Sequence, residues 1–209
     1  MALDPLPRSA RWVKRAFDLS VGGLALSVAL PTMAAIAAAI ALDSPGPVFF
    51  RQQRVGEGGR GFEMLKFRTM VVGAQVQEME LARESGEGLP RFEKRADDPR
   101  VTRVGHVLRR WSLDELPQLF NVLRGDMSLV GPRPELPWLV QRYGPWQRQR
   151  FAVPQGMTGW WQVHGRSDRA DYRLRVEDDV YYIRHWSVWL DLRILGMTIA
   201  AVIRGTGAY

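Results

Sequence analysis

The stretch LSVGGLALSVALPTMAAIAAAIAL, Leu19–Leu42, contains no charged residue, and its 24 residues must be buried in a protein core or in a membrane. As an α-helix it would be about 36 Å long, which exceeds the hydrocarbon core of a bilayer at about 30 Å. A fully buried helix of a soluble domain is the alternative, but core helices this long and this uniformly apolar are uncommon. The stretch therefore predicts a membrane helix.

Two features argue against a simple crossing of the membrane. Pro31 lies in the middle of the stretch, where a proline removes a backbone hydrogen bond and kinks a helix. Cations also flank the stretch on both sides, and Lys and Arg mark the cytoplasmic side of membrane segments. We therefore expect a re-entrant helix over about residues 17–42, kinked at Pro31, with arms about 17 Å long. Ser27 is a candidate partner for the carbonyl that Pro31 leaves free.

The stretch YYIRHWSVWLDLRILGMTIAAVIRG, which begins at Tyr181, is also apolar but carries Arg184, Asp191, Arg193 and Arg204. These charges make a second membrane crossing a poor interpretation. Two alternatives remain open, an amphipathic helix in the membrane interface and a helix packed on the core of the domain.

Between these stretches the sequence predicts short, mixed elements. GPVFFRQQRV (Gly46–Val55) and FEMLKFRTM (Phe62–Met70) have the composition of strands. GEGGRG (Gly56–Gly61) between them fits a hairpin turn better than a phosphate-binding loop, since no G-K-[ST] follows. Ala74–Glu84 predicts a charged helix, and Val101–Arg110 a short basic helix.

The fold class expected from these elements is α+β. We expect a mostly helical single domain over residues 1–209, with a short β-hairpin, the re-entrant helix and interfacial amphipathic helices. The segments MSLVGPRPELP and VPQGMTGWWQVHGRS are rich in Gly and Pro, and we interpret both as irregular loops.

The composition narrows the classes of partner. The net charge is +7, and all but a few of the 29 basic residues are Arg, which suits a polyanion such as nucleic acid, a phosphate-rich substrate or an anionic membrane. The absence of cysteine excludes disulfides and thiolate metal sites. No helix spaced for base readout stands out, so no nucleic-acid partner is expected. A membrane-anchored nucleic-acid-binding protein and a non-catalytic scaffold remain the alternatives to an enzyme.

The stretch RRWSLDELPQLFNVLRGD, Arg109–Asp126, raises a separate question, because two adjacent acids stand in an apolar run. Ser112 and Glu115 fit the S-x-x-E capping box. In a second register Pro117 opens a helix that continues from Gln118 to Arg124, with Gly125 as the stop. Both registers place the acids at or just before a helix N-terminus.

Several motifs, in this order, resemble the bacterial sugar transferases, the monotopic phosphoglycosyl transferases, in their minimal catalytic-domain form. The motifs are KRAFDL, DSPGPVFFRQQRVG, FEMLKFRTM, SLDELPQLFNVLRGDMSLVGPRPE and MTGWWQVHGRS. Together the resemblance runs from about Arg11 to about Leu195, which is nearly the whole chain.

The resemblance implies an enzyme that moves a sugar-1-phosphate from a UDP-sugar to a polyprenol phosphate and releases UMP. This is the first membrane step of lipid-linked glycan assembly. It implies Mg²⁺ as the cofactor, membrane lipids and downstream glycosyltransferases as further partners, and a monotopic protein on the cytoplasmic face of the bacterial inner membrane. In the family, Ser often precedes the kinking proline, whereas this chain has Leu30.

The resemblance also assigns residues. Asp114 would be the nucleophile that carries the phosphosugar, and Glu115 the acid associated with the metal, with Asp114 beside it. Neighbouring helical positions point about 100° apart, so one acid can attack while the other binds the ion. Arg109 and Arg110 would help to keep Asp114 ionised. Arg133 of GPRPE would face phosphate. The other candidates for substrate binding are Lys66, Arg68, Arg110, Arg166 and Asp179.

Overall fold

A computed structural model of the chain describes residues 6–74, 98–164 and 172–204. The predicted charged helix after Ala74 and the predicted phosphate ligand Arg166 lie outside the described residues. In chain order the elements are α1 (Arg8–Asp43), β1 (Phe49–Val55), β2 (Gly61–Phe67), α2 (Arg103–Arg110), α3 (Gln118–Arg124), β3 (Ser128–Val130), α4 (Pro137–Val140), α5 (Pro145–Arg148), β4 (Gly156–Thr158), α6 (Trp160–His164), α7 (Tyr172–Arg184) and α8 (Val188–Ile203). The structure is thus mixed and mostly helical, which confirms the coarse fold class.

The long helix α1 runs without interruption from Arg8 to Asp43, with Pro31 inside it. Within the described part of the chain it is the one helix long and apolar enough to cross a membrane. One face packs along the domain through buried positions such as Gly22, Ile36 and Ile40. The opposite face exposes large apolar side chains, among them Val28 at 73%. The predicted apolar helix is confirmed, while its kink and its re-entry stay predictions.

Ser27 does not play the role expected of it. Its Oγ donates a hydrogen bond to the carbonyl of Gly23 at 2.9 Å. The carbonyl that Pro31 leaves without a donor is that of Ser27 itself, four residues earlier. The prediction that the Ser27 hydroxyl pairs with the freed carbonyl is therefore wrong.

The first half of α1 is tied to the domain by a buried group of polar side chains, which we call the anchor cluster: Lys14, Asp18, Tyr182 and Asp191. Lys14 Nζ lies 2.8 Å from Asp191 Oδ2, and the Tyr182 hydroxyl donates to Asp191 Oδ1 at 2.8 Å. Asp18 accepts hydrogen bonds from the Ser128 hydroxyl and from a backbone N–H of β3. These contacts join α1 to β3, α7 and α8.

Strands β1 and β2 form the predicted antiparallel hairpin, in which Phe49 pairs with Phe67 and Val55 with Gly61. The connection is a short 3₁₀ turn, Glu57–Gly59, with Gly58 at φ 65° and Gly59 at φ 78°. Both glycines adopt the left-handed region that side chains disfavour. The interpretation of the glycine-rich segment as a turn is confirmed.

Strands β3 and β4 pair in parallel, with Ser128 opposite Gly156 and Val130 opposite Thr158. The interpretation of both segments as irregular loops is wrong at these positions. The two backbones approach so closely that a Cβ at Gly131 or Gly156 would collide with the main chain of the other segment. Glycine is required at both positions because two distant segments pack closely there. A pattern within a few residues cannot show such packing, and the glycines were therefore interpreted as loop residues.

The core lies where α1 and α3 meet this parallel pair. Val122 of α3, Val130 of β3 and Ile194 of α8 are completely buried. A second cluster forms under the later half of α1, where Ile40 packs with Phe67 of β2 and Leu108 of α2. Through these two clusters, α1 packs against α3, β2 and α2.

Candidate active site

The segment that carries the two acids adopts the second of the two registers. α3 runs from Gln118 to Arg124 after Pro117, and it ends at Gly125 with φ 93°. Asp114 and Glu115 lie in a 3₁₀ turn, Leu113–Glu115, just before it. The capping box is wrong, because the Ser112 side chain makes no capping hydrogen bond and the N–H of Glu115 bonds to the Ser112 carbonyl instead.

Ser112 itself is strained. Its φ is 53°, and it is the one non-glycine residue with positive φ within the described ranges. Such conformations cost roughly 1–3 kcal/mol and cluster at functional sites. The turn that sets the direction of Asp114 therefore begins with an unfavourable backbone conformation.

Asn121 of α3 fixes the hairpin beside the acids. Its Oδ1 accepts the N–H of Leu65 at 3.0 Å, and its Nδ2 donates to the carbonyl of Glu63 at 2.7 Å. The residue is fully buried, so both amide groups need partners. These bonds hold β2 against α3 and so bring Lys66 next to the 3₁₀ turn. Sequence reasoning missed this, although an amide in an apolar helix was a usable signal.

The site centres on Glu115. Its Oε1 lies 2.8 Å from Lys66 Nζ and 2.9 Å from Arg133 Nη2. Lys66 Nζ is also 3.8 Å from Asp114 Oδ2. We call these four residues, Lys66, Asp114, Glu115 and Arg133, the acid-pair site. The structure thus brings together four of the residues predicted from the sequence, from three separate segments.

The acid-pair site contains two cations that a phosphate group could contact. Glu115 raises the pKa of Arg133 above its ordinary value, so Arg133 is held as a cation. The Asp114 side chain is 8% exposed, whereas that of Arg133 is 25% exposed. Two cations facing two acids can hold the oxygens of a phosphate group while a carboxylate lies next to its phosphorus.

Arg54 is a residue of this region that no sequence motif assigned to the site. It donates to the carbonyl of Pro134 at 3.3 Å and to Gln52 Oε1 at 2.6 Å. Burial lowers the pKa of Arg54 to about 10, and repulsion from Arg133 is the second cause. Arg54 therefore adds positive charge behind Arg133. The pairing of Val55 with Glu135 brings the two segments together, and no local sequence pattern reveals it.

Three other predicted substrate-binding residues make contacts outside the acid-pair site. Arg68 is buried and donates to the carbonyls of Ser44 and Pro45, so it stabilises the end of α1 and is not brought to the acid-pair site. Arg110 lies over the ring of Trp111, with 5.8 Å between its Cζ and the ring centroid. Asp179 is 1% exposed and pairs with Arg150 at 2.7 Å. Burial raises the pKa of Asp179 to about 7, and Arg150 opposes this rise.

The donor set is compatible with Mg²⁺ that arrives with a phosphate substrate. This ion commonly takes one or two carboxylates and completes its shell with phosphate oxygens and water. Asp114 and Glu115 supply two adjacent carboxylates, and within the described ranges no third acid or histidine forms a metal-binding group with them. The pair fits a site that the substrate completes, and the requirement for Mg²⁺ stays a prediction.

Comparison with known proteins decides the family. A family model described as bacterial sugar transferase matches residues 9–205. The chain belongs to the bacterial sugar transferase family. The resemblance inferred from the sequence motifs is confirmed, and the match includes all four residues of the acid-pair site.

Two of the curated relatives compared with this chain carry transferase names. The chain is 42% identical to a UDP-N-acetylgalactosamine-undecaprenyl-phosphate N-acetylgalactosaminephosphotransferase of Aeromonas hydrophila, over 99% of this chain and 47% of that protein. It is 44% identical to a UDP-glucose:undecaprenyl-phosphate glucose-1-phosphate transferase of Xanthomonas campestris, over 92% of this chain and 39% of that protein. The chain thus spans less than half the length of these relatives. It is 38% identical to the exopolysaccharide production protein ExoY of Sinorhizobium fredii, over 94% of this chain and 88% of that protein.

Proposed function

We propose that this protein transfers a sugar-1-phosphate from a UDP-sugar to undecaprenyl phosphate and releases UMP. The observation that carries the proposal is the acid-pair site, in which Asp114 and Glu115 meet Lys66 and Arg133. The names of the relatives support the same donor and acceptor classes. Membrane lipids and downstream glycosyltransferases are proposed as further partners.

In the first half-reaction, Asp114 is the nucleophile. One of its carboxylate oxygens forms a bond to the phosphorus that bears the sugar, and the bond from this phosphorus to the oxygen bridging the two phosphates breaks. UMP leaves with that oxygen and the electron pair, so no proton transfer is needed. Lys66 and Arg133 neutralise the phosphate oxygens while the charge moves, which is the main demand of phosphoryl transfer.

In the second half-reaction, a phosphate oxygen of undecaprenyl phosphate attacks the same phosphorus. The bond to Asp114 breaks, the carboxylate is regenerated, and a lipid diphosphate sugar is formed. Asp114 and Glu115 would hold Mg²⁺, which supplies further neutralisation of phosphate charge when bound. Glu115 also orients Lys66 and Arg133 through its Oε1, whose contacts with both cations are direct.

We further propose that α1 re-enters the membrane from the cytoplasmic side and bends at Pro31, so that the protein is monotopic on the inner membrane. The cations on both flanks and the row of exposed apolar side chains on α1 support this. The exposed Trp189 and Ile203 of α8 would lie in the interface of the same leaflet.

The activity is tested with a panel of UDP-sugars and undecaprenyl phosphate, with release of UMP as the signal. We expect one or a few sugars to give UMP and a lipid-linked product. A protein that releases no UMP with any sugar of the panel, yet is folded and binds single-stranded nucleic acid, would contradict the proposal and favour the nucleic-acid alternative. A folded protein with neither property would favour the scaffold.

The topology is tested with single cysteines, because the chain has none of its own. A cysteine at Arg8 and one at Pro47, which is exposed, should both be labelled from the cytoplasmic side of inverted membrane vesicles. A cysteine at Leu24, which is exposed on α1, should resist an aqueous label in both orientations. Labelling of the first two from opposite sides would show a true crossing.

A further inference from the structure

Arg133 is carried by a loop whose main chain is held from outside on both sides of the residue. The N–H of Gly156 in β4 donates to the carbonyl of Pro132 at 2.9 Å. The carbonyl of Pro134 accepts from Arg54 at 3.3 Å. Between them, the carbonyl of Arg133 itself accepts a hydrogen bond from Nη2 of Arg150 at 3.1 Å.

Arg150 reaches this carbonyl from inside the protein. Its side chain is 1% exposed, so it is closed off from solvent and from a phosphate bound at the surface. Nη1 lies 2.6 Å from Glu135 Oε1, and Nη2 lies 2.7 Å from Asp179 Oδ2. Both acids contact the guanidinium group, and Asp179 is itself 1% exposed.

This arrangement depends on the shape of the guanidinium group. The planar fork of Arg150 donates to Glu135 and to the carbonyl of Arg133 while its charge lies beside Asp179, whereas an ammonium group acts from one point. A buried ion pair is weak evidence for stability, because apolar side chains of similar volume often serve as well. The geometry therefore points to a role for the charged group beyond holding the core together.

We propose that Arg150 is a positioning residue for Arg133, and that Glu135 and Asp179 are the two groups that hold Arg150 in place. The sequence suggested Asp179 as a substrate-binding residue. Because Asp179 is buried, we assign it instead the role of holding Arg150. The inference rests on the proposed function in one respect, which is that Arg133 faces the diphosphate of the donor. Displacing a catalytic group by about 1 Å can slow a reaction about 100-fold.

The test is a double-mutant cycle between Arg150→Lys and Arg133→Ala in the full chain, in detergent. Two quantities are measured: the affinity for UDP in the presence of Mg²⁺, and the rate of UMP release from the UDP-sugar that the panel identifies. In the wild-type background Arg150→Lys should lower the rate about tenfold and weaken UDP binding. In the Arg133→Ala background the same substitution should change either quantity less than about twofold, because coupled sites are non-additive.

Arg148→Lys is the matched control. Arg148 also donates to main-chain carbonyls, those of Val140 and Tyr143, but these lie outside the Arg133 loop. It should leave both quantities unchanged. If Arg150→Lys does not fold, the pair Arg150→Met with Asp179→Asn removes the cation and one acid together, and the same cycle is measured with that pair.

The outcomes separate the two proposals. Three results would overturn the positioning role. The substitution of Arg150 could lower the rate and the UDP affinity equally in both backgrounds, or in neither. The Arg133→Ala variant could also behave as the wild type. If UMP is released but the effects of the two substitutions are additive, the transferase proposal holds and the positioning role does not. Coupled UDP affinities in a protein that releases no UMP from any sugar would keep the positioning role and overturn the transferase.

Discussion

The anchor cluster and the acid-pair site are built from the same kinds of residue but differ in their contact with solvent. In the anchor cluster, the side chains of Lys14 and Asp191 are 2% and 1% exposed. In the acid-pair site, those of Lys66, Glu115 and Arg133 are 13%, 18% and 25% exposed. Both contain a lysine within 2.8 Å of a carboxylate oxygen.

This difference in exposure distinguishes an ion pair that joins parts of the fold from one that a substrate could reach. Lys14 and Asp191 are enclosed by Tyr182, Trp186 and the helix α1, so their charges serve to join α1 to the domain. Lys66 and Arg133 have surface from which a phosphate oxygen can be bound. If this comparison is correct, changes in the anchor cluster reduce stability, and changes in the acid-pair site reduce turnover.

The largest expected effect is on stability in the anchor cluster. Lys14→Met leaves Asp191 buried without its cation and should lower the free energy of unfolding by about 3–5 kcal/mol. Adding Asp191→Asn should restore part of the loss, because the uncompensated charge is removed while Tyr182 keeps an acceptor. Denaturant unfolding of the wild type, Lys14→Met and the double variant checks this, and a Lys14→Met variant as stable as the wild type would contradict it.

Arg133→Ala should have the second-largest effect, and on turnover. Removing one preorganised donor to developing charge typically slows catalysis about 10²–10³-fold. The thermal midpoint should stay close to that of the wild type, since Arg133 is partly exposed. Arg51→Ala is the matched control on the hairpin, where an exposed pair with Glu63 is worth little. A variant that unfolds while its control does not would make Arg133 a structural residue.

A smaller effect is expected from the titration of Asp179. Its pKa is raised to about 7 by burial, so the folded state binds its proton more tightly than the unfolded state. Stability is then lost as the pH rises from about 4 to about 7. Relative to Asp179→Asn, the wild type should lose at least about 1.4 kcal/mol, the free energy of one pKa unit.

Thermal or denaturant unfolding at several pH values measures this difference. Arg150, Glu135 and Asp178 face Asp179 and influence the same window, so the variant without the acid is the necessary reference. A wild type whose stability runs parallel to that of Asp179→Asn across the window would show that Arg150 holds the acid ionised throughout.

The smallest effect is expected at Ser112. Its φ of 53° is especially unfavourable for a β-branched residue. Ser112→Val should therefore destabilise the protein by about 1 kcal/mol or more, whereas Ser112→Gly should be nearly neutral in unfolding. If valine is tolerated as well as glycine, the turn before Asp114 is not strained.

Local signals predicted much of the fold. The hairpin, its glycine turn, the helix from Gln118 to Arg124 with its glycine stop, and the long apolar helix all follow from patterns within a few residues. The parallel pairing of Ser128–Val130 with Gly156–Thr158 could not be predicted in this way. It depends on contact between strands of three residues, which are too short for a periodic pattern.

The same division holds for the site. Asp114, Glu115 and Arg133 were proposed through motifs, because each motif carries its residue in a recognisable neighbourhood, and Lys66 was proposed from its charge. Arg54, Asn121 and Arg150 were missed, since their roles come from bonds to main-chain atoms of distant segments. Arg68 was assigned to substrate from its charge, but its bonds to the end of α1 are set by the tertiary structure.

In the proposed mechanism Asp114 carries the phosphosugar, and intact-protein mass spectrometry can detect this adduct. Wild-type protein mixed with the active UDP-sugar and Mg²⁺, without any polyprenol phosphate, should release UMP and gain the mass of one sugar phosphate. Asp114→Asn, which keeps the shape but loses the anion, should show neither, and undecaprenyl phosphate added to the wild type should remove the added mass. An Asp114→Asn variant that still turns over in the complete reaction would contradict the claim.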